Sequence, residues 1–190
     1  MPYIWTGVSE STGVATLTQV HCGVTRLGCV AEIVALLASP AHRYVGRPQD
    51  GPALEPPGEL VDEVEIREGL GIVGDRYYGR PAHRDASVTV IAEESLPAGA
   101  GLTQVRRNIL VRGIAVDELI GSVLVLDSGD GPVQLKVQRP ANPCAWMDTT
   151  IGPGARDALR GKGGVRCRPL SSGRLRVGPV TVVVTESTDR

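Results

Sequence analysis

The fold class is indicated by the stretch Ser122-Val-Leu-Val-Leu-Asp-Ser-Gly-Asp-Gly-Pro-Val-Gln-Leu-Lys-Val137. Two apolar segments, 122–126 and 133–137, flank a turn rich in Gly and Asp at 128–131. Apolar segments on either side of such a turn are typical of two paired strands. We therefore predict a β-hairpin over residues 122–137.

Further segments of the same kind lie on both sides of this hairpin. We predict strands at 60–66, 87–92 and 108–111, because these segments are rich in β-branched and other apolar residues. The stretch 175–184 is either a strand pair or one long strand broken at a Gly-Pro step. The continuous apolar run at 30–38 fits a buried strand and a short helix equally well.

Helical patterns are few and short in this sequence. They are confined to single turns at 93–96 and 117–120 and to a helix over 153–160. The 24 glycines and 14 prolines among 190 residues exceed the average share of about 12%, and so many turn residues favour short strands. Six or more short strands with few helices predict a mainly β protein, a barrel or a sandwich.

Composition and charge narrow the functional classes. A length of 190 residues suggests one domain, and no apolar run approaches the ~18 residues of a membrane-spanning helix. The N-terminus shows no secretory signal, so we expect a cytoplasmic protein that binds no membrane. The net charge is −6 over residues 1–100 and +5 over residues 101–190. This balance argues against nucleic-acid binding, and the basic half either serves a smaller anion or is simply solvated.

A glycine-rich segment at 69–74 matches the dinucleotide-binding fingerprint literally. That fingerprint requires a helix to begin at the glycines, because the N-terminus of the helix holds the pyrophosphate. Gly79 and Pro81 would break such a helix within two turns. We therefore interpret the segment as a turn that presents Asp75 and Arg76, and we expect no direct binding of NAD(P).

Two basic segments are candidates for anion binding. Arg106 and Asn108 precede a predicted strand, where an arginine offers a two-pronged set of donors to phosphate and an asparagine offers both a donor and an acceptor. A solvated strand end is the alternative for this segment. The glycine-rich segment 161–168 carries Arg166 and Arg168, whose charges suit an anion as well.

Cys144 is the candidate reactive residue. It lies in a proline-rich loop after a predicted strand, and Arg139 would stabilise its thiolate if the guanidinium faced the sulfur. An accessible thiolate on a stiff loop suits a nucleophile or a ligand of a soft metal, whereas a structural cysteine is the alternative. We expect structural roles for the other cysteines, which are Cys22, Cys29 and Cys167.

Taken in their order along the chain, these segments resemble the MOSC domain, named after the C-terminal part of the molybdenum cofactor sulfurase. The resemblance extends over roughly residues 28–184, and the ordered set carries it rather than any single piece. The matching pieces are 71–76, 87–91, 106–109 with Gly113, the Pro143-Cys144 loop, 152–156 and 173–178.

The resemblance implies a mainly β protein, a closed or partly open barrel with a few short helices. The barrel domain would occupy residues 28–190, after an N-terminal arm or extra strand at 1–27. The family binds the molybdenum–pyranopterin cofactor, and Cys144 matches the loop cysteine that is a thiolate ligand of molybdenum. Asp148 matches an aspartate of the active branch, so that Cys144 and Asp148 are the catalytic candidates. The implied cofactor-binding residues are Arg76, Ser87, Thr89, Arg106, Asn108, Arg166 and Arg168.

By this resemblance the protein reduces N-hydroxylated or N-oxygenated small molecules and takes electrons from a separate flavin or iron–sulfur protein. Two alternatives stay open. In the first, Cys144 holds the cofactor or a persulfide sulfur for delivery to another enzyme. In the second, a divergent barrel uses its pocket for chemistry without a metal.

Overall fold

Strands make up most of the computed structural model, which describes residues 17–21 and 24–186, with side chains from Ala31 onward. The helices are single turns: α1 (Leu102–Val105), α2 (Trp146–Thr150) and α3 (Ala155–Ala158), with short 3-10 segments at 48–50, 81–86, 93–95 and 116–119. The strands are β1 (Leu17–His21), β2 (Val24–Leu37), β3 (Leu60–Val61), β4 (Glu63–Arg67), β5 (Gly71–Ile72), β6 (Val88–Ala92), β7 (Ile109–Arg112), β8 (Ser122–Asp127), β9 (Val133–Pro140), β10 (Val165–Pro169), β11 (Gly173–Arg176) and β12 (Gly178–Glu186).

Seven of the described strands close into a barrel. Their order around it is β2, β12, β8, β9, β10, β6 and β7, and β7 pairs back with β2. Neighbouring strands are antiparallel except β6 and β7, which run parallel because the chain crosses between them through α1. The predicted mainly β barrel with few short helices is therefore confirmed, and the barrel is closed.

The hairpin predicted over 122–137 is present, with β8 and β9 paired from Val123 opposite Lys136 to Leu126 opposite Val133. The apolar run at 30–38, which fitted either a strand or a helix, belongs to β2. This strand is long enough to pair with β12 and with β7, and so it joins the two ends of the barrel sheet.

Several predicted boundaries shift in the structure. The strand expected at 60–66 is interrupted at Asp62 and forms β3 and β4, and the stretch 175–184 holds parts of two strands, β11 and β12, separated by Val177. The helix expected over 153–160 is limited to α3. Of the arm expected at 1–27, β1 pairs with β2, and β2 itself begins at Val24. Residues 1–16 and 22–23 lie outside the described residues.

Two apolar clusters lie on the two sides of the barrel wall. Successive residues of a strand point to opposite faces, so that Val90 and Ile109 pack in the cluster inside the barrel while their neighbours Ile91 and Leu110 pack outside. The outer cluster also contains Trp146 and residues of the three helices. Since β6 is covered on both faces, all five of its residues are buried.

The outer cluster determines where polar loops can gather. The helices α1 and α2 pack against β2, β6 and β7, and the loops that follow β2 and β9 meet the segment that precedes β7 at the same end of the barrel. That end carries the candidate site. Among the described helices, none is long and apolar enough to span a bilayer.

Candidate active site

A cavity of about 230 Å³ lies at this end of the barrel, and Cys144 is one of its walls. Six separate parts of the chain contribute to it: the loop after β2, the turn after β5, strand β6, the segment before β7, the loop after β9 with the start of α2, and strand β10. The lining residues are His42, Arg43, Tyr44, Arg76, Tyr77, Thr89, Val105, Arg106, Arg107, Asn142, Cys144, Trp146, Met147 and Arg166.

Cys144 is exposed and lies between β9 and α2. The carbonyl of Cys144 accepts a hydrogen bond from the backbone N–H of Met147 at 3.0 Å, so the loop leads directly into the first turn of α2. Trp146 and Met147 are buried in the outer cluster. These anchors hold the loop against the barrel while the thiol stays accessible.

Arg107 fastens the start of the Cys144 loop to the barrel. Its guanidinium donates to three backbone carbonyls: Nε to Gly163 at 2.9 Å, Nη1 to Val105 at 2.9 Å and Nη2 to Ala141 at 2.6 Å. Burial, together with the nearby charge of Arg166, lowers the pKa of Arg107 to about 10. Arg107 therefore remains protonated at neutral pH, as a buried cation whose hydrogen bonds all go to carbonyls rather than to a carboxylate.

A glycine pair lets the loop approach this closely. A Cβ on Gly163 would lie 2.7 Å from the carbonyl oxygen of Ala141 and 3.1 Å from Cδ of Pro143. Gly164 has a φ of +85°, and a Cβ there would lie 2.3 Å from the carbonyl oxygen of Val90. The Cys144 loop thus packs directly against the backbone of the glycine-rich segment at 161–168, because the absence of side chains there leaves room for it.

Arg106 occupies a special backbone position at the end of α1. Its φ of 55° and ψ of 44° lie in the left-handed region, which non-glycine residues rarely adopt. Nη1 of the buried Arg106 is 2.5 Å from Oε1 of Glu59, and Nη2 donates to the carbonyl of Ala41 at 3.3 Å. Oε2 of Glu59 is buried without a hydrogen-bond partner in the described part of the chain.

Asn108 joins two strands and a turn rather than facing the cavity. Its Oδ1 accepts from the backbone N–H and the hydroxyl of Thr89 at 3.0 and 2.8 Å. Its Nδ2 donates to the carbonyl of Leu37 and to Oδ2 of Asp75, each at 3.1 Å. Both hydrogens of the amide are therefore engaged within the protein. Asp75 also accepts from the backbone N–H of Tyr77 at 3.0 Å, which fixes the turn that presents Arg76.

Arg76 carries hydrogen-bond donors that the described residues leave unused. Its Nε and Nη1 are buried and have no hydrogen-bond partner among those residues. Nη1 lies 3.6 Å from Oδ2 of Asp75, and the guanidinium stacks over the ring of Tyr77 with Cζ 4.6 Å from the ring centroid. A buried charged donor without a hydrogen-bond partner costs free energy, so these donors favour the binding of an acceptor in the cavity.

Arg166 adds a half-buried cation, and no carboxylate of the described residues forms an ion pair with it. Burial lowers the pKa of Arg166, and the nearby charges of Arg139 and Arg76 lower it further. The cavity thus combines an exposed thiol with a surplus of positive charge.

Aromatic side chains form the outer wall. Tyr44 stacks on Trp146 with ring centroids 4.9 Å apart and planes 7° apart, its hydroxyl donates to the carbonyl of Gln104, and the hydroxyl oxygen lies 3.3 Å from that of Thr150. Burial raises the pKa of Tyr44. This stack connects the loop after β2 to α2.

The structure brings together five of the predicted site residues and leaves four outside this cavity. The five that line it are Cys144, Arg76, Thr89, Arg106 and Arg166. The other four do not line it. Asn108 belongs to the network described above, and Ser87 has a buried Oγ without a hydrogen-bond partner in the described chain. Arg168 lies 3.6 Å from Asp85, and Oδ1 of Asp148 accepts a hydrogen bond from the backbone N–H of Arg156 at 3.0 Å.

Sequence reasoning missed Arg107 and the segment from His42 to Tyr44. Arg107 stands between two residues that were chosen, but its partners are backbone carbonyls, which leave no sequence pattern. The segment 42–44 lies at the start of a loop rich in Pro and Gly, and only the barrel topology brings it to Cys144. The pairing of a His, a Tyr and two arginines at 42–47 was the one available signal.

Comparisons with known proteins bear on the fold. No family model and no curated protein sequence matches the chain. Solved structures do: the YuaD protein of Bacillus subtilis has a TM-score of 0.62 at 16% identity, covering 83% of this chain and 97% of that one. YiiM from Geobacillus stearothermophilus has a TM-score of 0.54 at 16% identity, covering 80% and 74%. YiiM from Escherichia coli has a TM-score of 0.50 at 17% identity, covering 83% and 72%.

These neighbours support a MOSC-like fold for the chain. At such low identity, the likeness concerns the arrangement of strands and helices. What the site binds and catalyses has to be argued from its own residues.

Proposed function

We propose that the chain binds the molybdenum–pyranopterin cofactor, with Cys144 as a thiolate ligand of the metal, and reduces N-hydroxylated or N-oxygenated small molecules. One observation carries the proposal. An exposed thiol lines a cavity whose walls hold five arginines, while only some of these have a carboxylate partner.

The charge of the site fits an anionic ligand. Arg43 pairs with Glu55 at 3.0 Å and Arg106 with Glu59 at 2.5 Å. The remaining lining arginines are Arg76, with unused buried donors, Arg107, bound to carbonyls, and Arg166. A ligand that carries a phosphate would supply the missing acceptors through charge-assisted hydrogen bonds.

The protein side chains around the cavity suit a metal whose other ligands come from its cofactor. Among the described residues, no three His, Cys, Asp or Glu side chains come together as a metal site. A soft thiolate such as Cys144 suits a metal with sulfur coordination, but one ligand does not retain a free ion. A metal already held by an organic dithiolene, with its phosphate fastened by arginines, meets both conditions.

Under this proposal the residues of the site have distinct roles. Arg76 and Arg166 bind the phosphate, whereas Arg106 is paired with Glu59 and fixes the end of α1 beside them. Thr89 and Asn108 hold β6, β7 and the turn at Asp75 in register. Arg107 keeps the Cys144 loop in place. We assign Asp148 no part in the reaction, because its carboxylate caps the backbone of Arg156 and it does not line the cavity.

The cofactor, when bound, supplies the two-electron redox chemistry. The chain contributes the thiolate, the cationic environment and the wall that admits the substrate. Since no part of the described site resembles a nucleotide-binding helix start, electrons come from a separate flavin or iron–sulfur protein. The turn at 69–74 leads into Tyr77 and Tyr78 without a helix.

A turnover assay tests the proposal. Protein made in a host that synthesises the cofactor is supplied with a reduced dye as electron donor and benzamidoxime as substrate. We expect benzamidine to form with wild type, none with Cys144→Ser, and none with NADPH as the sole donor. Absence of product from wild type that contains molybdenum would contradict the reductase function.

The exposure of Cys144 also favours a second candidate, a carrier that holds the cofactor or a persulfide sulfur and passes it on. Delivery requires the thiol to reach an acceptor protein, and an exposed cysteine meets that need. Transfer of molybdenum to an acceptor apo-enzyme, without turnover in the dye assay, would select the carrier over the reductase.

A further inference from the structure

A second cavity, of about 730 Å³, adjoins the first and shares His42, Arg76 and Tyr77 with it. Cys144 does not line it. The turn after β5 and the 3-10 segment at 81–86 form most of its wall. Its size falls within the range of about 300–1,000 Å³ that small-molecule sites occupy.

Aromatic rings dominate this cavity. Four of its lining residues carry one: His42, Tyr77, Tyr78 and His83. The rings of Tyr77 and His83 are 4.4 Å apart and tilted by 41°, so the wall is already packed before any ligand enters. A planar ring that enters such a cavity gains offset or edge-to-face contacts beyond the burial of apolar area.

The cavity is also positively charged. Arg76 and Arg80 line it, and Asp75 is the one carboxylate that does so. That carboxylate is fully buried and is engaged by Ser39, Tyr77 and Asn108. The unused donors of Arg76 are buried at the boundary between the two cavities. No ion pair in the described chain involves Arg80.

Backbone anchors hold the wall in place. The N–H of Arg76 donates to the carbonyl of Ser39 at 2.8 Å, and the N–H of Gly79 donates to the carbonyl of Leu70 at 3.0 Å. Pro40 and Pro81 restrict the two segments that face each other. A wall fixed in this way loses little conformational entropy when a ligand binds.

We propose that the second cavity binds an aromatic acid, with the ring among the tyrosines and histidines and the carboxylate on Arg80, beside the charge of Arg76, and that it is the substrate site. The substrate would then be an aromatic carboxylate that carries its reducible N–OH group toward Cys144. The last statement rests on the proposed function, whereas the binding of the aromatic acid does not.

Benzoate is the probe, titrated by calorimetry into the full-length protein. Benzamide presents the same ring without the charge, and cyclohexanecarboxylate presents the same charge without the aromatic ring. We expect benzamide to bind at least tenfold more weakly than benzoate, because it lacks the charge-assisted hydrogen bond, and cyclohexanecarboxylate to bind about two- to tenfold more weakly, because it lacks the ring contact. Equal affinity for benzoate and benzamide would overturn the proposal.

Two single substitutions test whether benzoate binds in the second cavity. Arg80→Ala should weaken benzoate at least tenfold, while the matched control Arg84→Ala, an exposed arginine of the same segment that does not line the cavity, should leave the affinity unchanged. Both residues are exposed, so loss of folding does not interfere. Unchanged benzoate affinity in Arg80→Ala would overturn the assignment.

Benzoate binding to protein with and without bound cofactor separates this inference from the proposed function. We expect benzoate to bind equally well to protein with and without molybdenum, and to Cys144→Ser. If benzoate binds but molybdenum is never retained, the proposed function fails and the aromatic-acid site stands. If bound cofactor abolishes benzoate binding, the second cavity belongs to the cofactor and the substrate assignment is overturned.

Discussion

Nη2 of Arg107 donates a hydrogen bond of 2.6 Å to the carbonyl oxygen of Ala141, three residues before Cys144. Through this contact the segment before β7 holds the start of the loop after β9, although the two are far apart in sequence. Because Arg107 is buried and bonds to two further carbonyls, it acts as a fixed point for the candidate metal ligand.

Replacing Arg107 should therefore cost stability and displace the thiol. Arg107→Ala leaves three buried carbonyls without their donor, and we expect a loss of about 3 kcal/mol in the free energy of unfolding, measured in urea. Arg139→Ala, which removes an exposed arginine at the end of β9, should change it by no more than about 0.5 kcal/mol. Similar losses in both variants would show that the three hydrogen bonds do not anchor the loop.

The close contact between Gly163 and the Cys144 loop allows a second test. Gly163→Ala places a Cβ 2.7 Å from the carbonyl oxygen of Ala141, so the Cys144 loop must shift. We expect a destabilisation of about 1–3 kcal/mol and a large loss of bound cofactor. Gly101→Ala is the matched control, because its Cβ would meet Gln104 at an ordinary 3.5 Å. A Gly163→Ala protein as stable and as well loaded as Gly101→Ala would contradict this role of Gly163.

Cysteine labelling should separate Cys144 from Cys167. Cys144 is exposed, whereas Cys167 is fully buried in the barrel core, and burial raises the pKa of its thiol to about 12. In native protein without bound cofactor, we expect iodoacetamide to modify Cys144 and to spare Cys167 until denaturant is added. Peptide mass spectrometry measures both sites. Labelling of Cys167 at a comparable rate would mean that the barrel core is open.

His42 should make stability depend on pH. Partial desolvation of the largely exposed His42 ring, followed by the charges of Arg76 and Arg106, lowers the pKa of His42 below its usual value of 6.5, and His83 adds to this effect. Because the unfolded chain then binds the proton first, the contribution of His42 to stability is complete above pH 6.5 and is lost as the pH falls through its lowered pKa. Thermal unfolding of wild type and His42→Gln from pH 7.5 to 5 should diverge only below about pH 6.5. Parallel curves across this range would contradict the effect.

Local patterns were sufficient to predict the framework of the fold. The hairpin at 122–137 and the β-branched segment at 87–92 are paired strands because their apolar residues have both a turn and a partner nearby. Closure of the barrel was left open between a closed and a partly open form. It depends on β7 pairing with β2, a contact between distant segments that no local pattern specifies.

The candidate site was predictable in its charged and reactive groups but not in its internal partners. Cys144, Arg106 and Arg166 were chosen from the sequence, and the structure places all three around one cavity. The ion pair between Arg106 and Glu59 was not foreseen, because Glu59 follows a stretch rich in Pro and Gly that reads as an exposed loop. Asn108 was expected to face a ligand, yet the buried carboxylate of Asp75 engages its amide.

The molybdenum content of purified protein tests whether Cys144 holds the cofactor. Wild type, Cys144→Ser and Cys167→Ala are produced in a host that makes the cofactor, and metal per chain is determined by mass spectrometry. We expect close to one molybdenum per chain in wild type, little change in Cys167→Ala and almost none in Cys144→Ser. Equal molybdenum content in wild type and Cys144→Ser would contradict the assignment of Cys144 as the metal ligand.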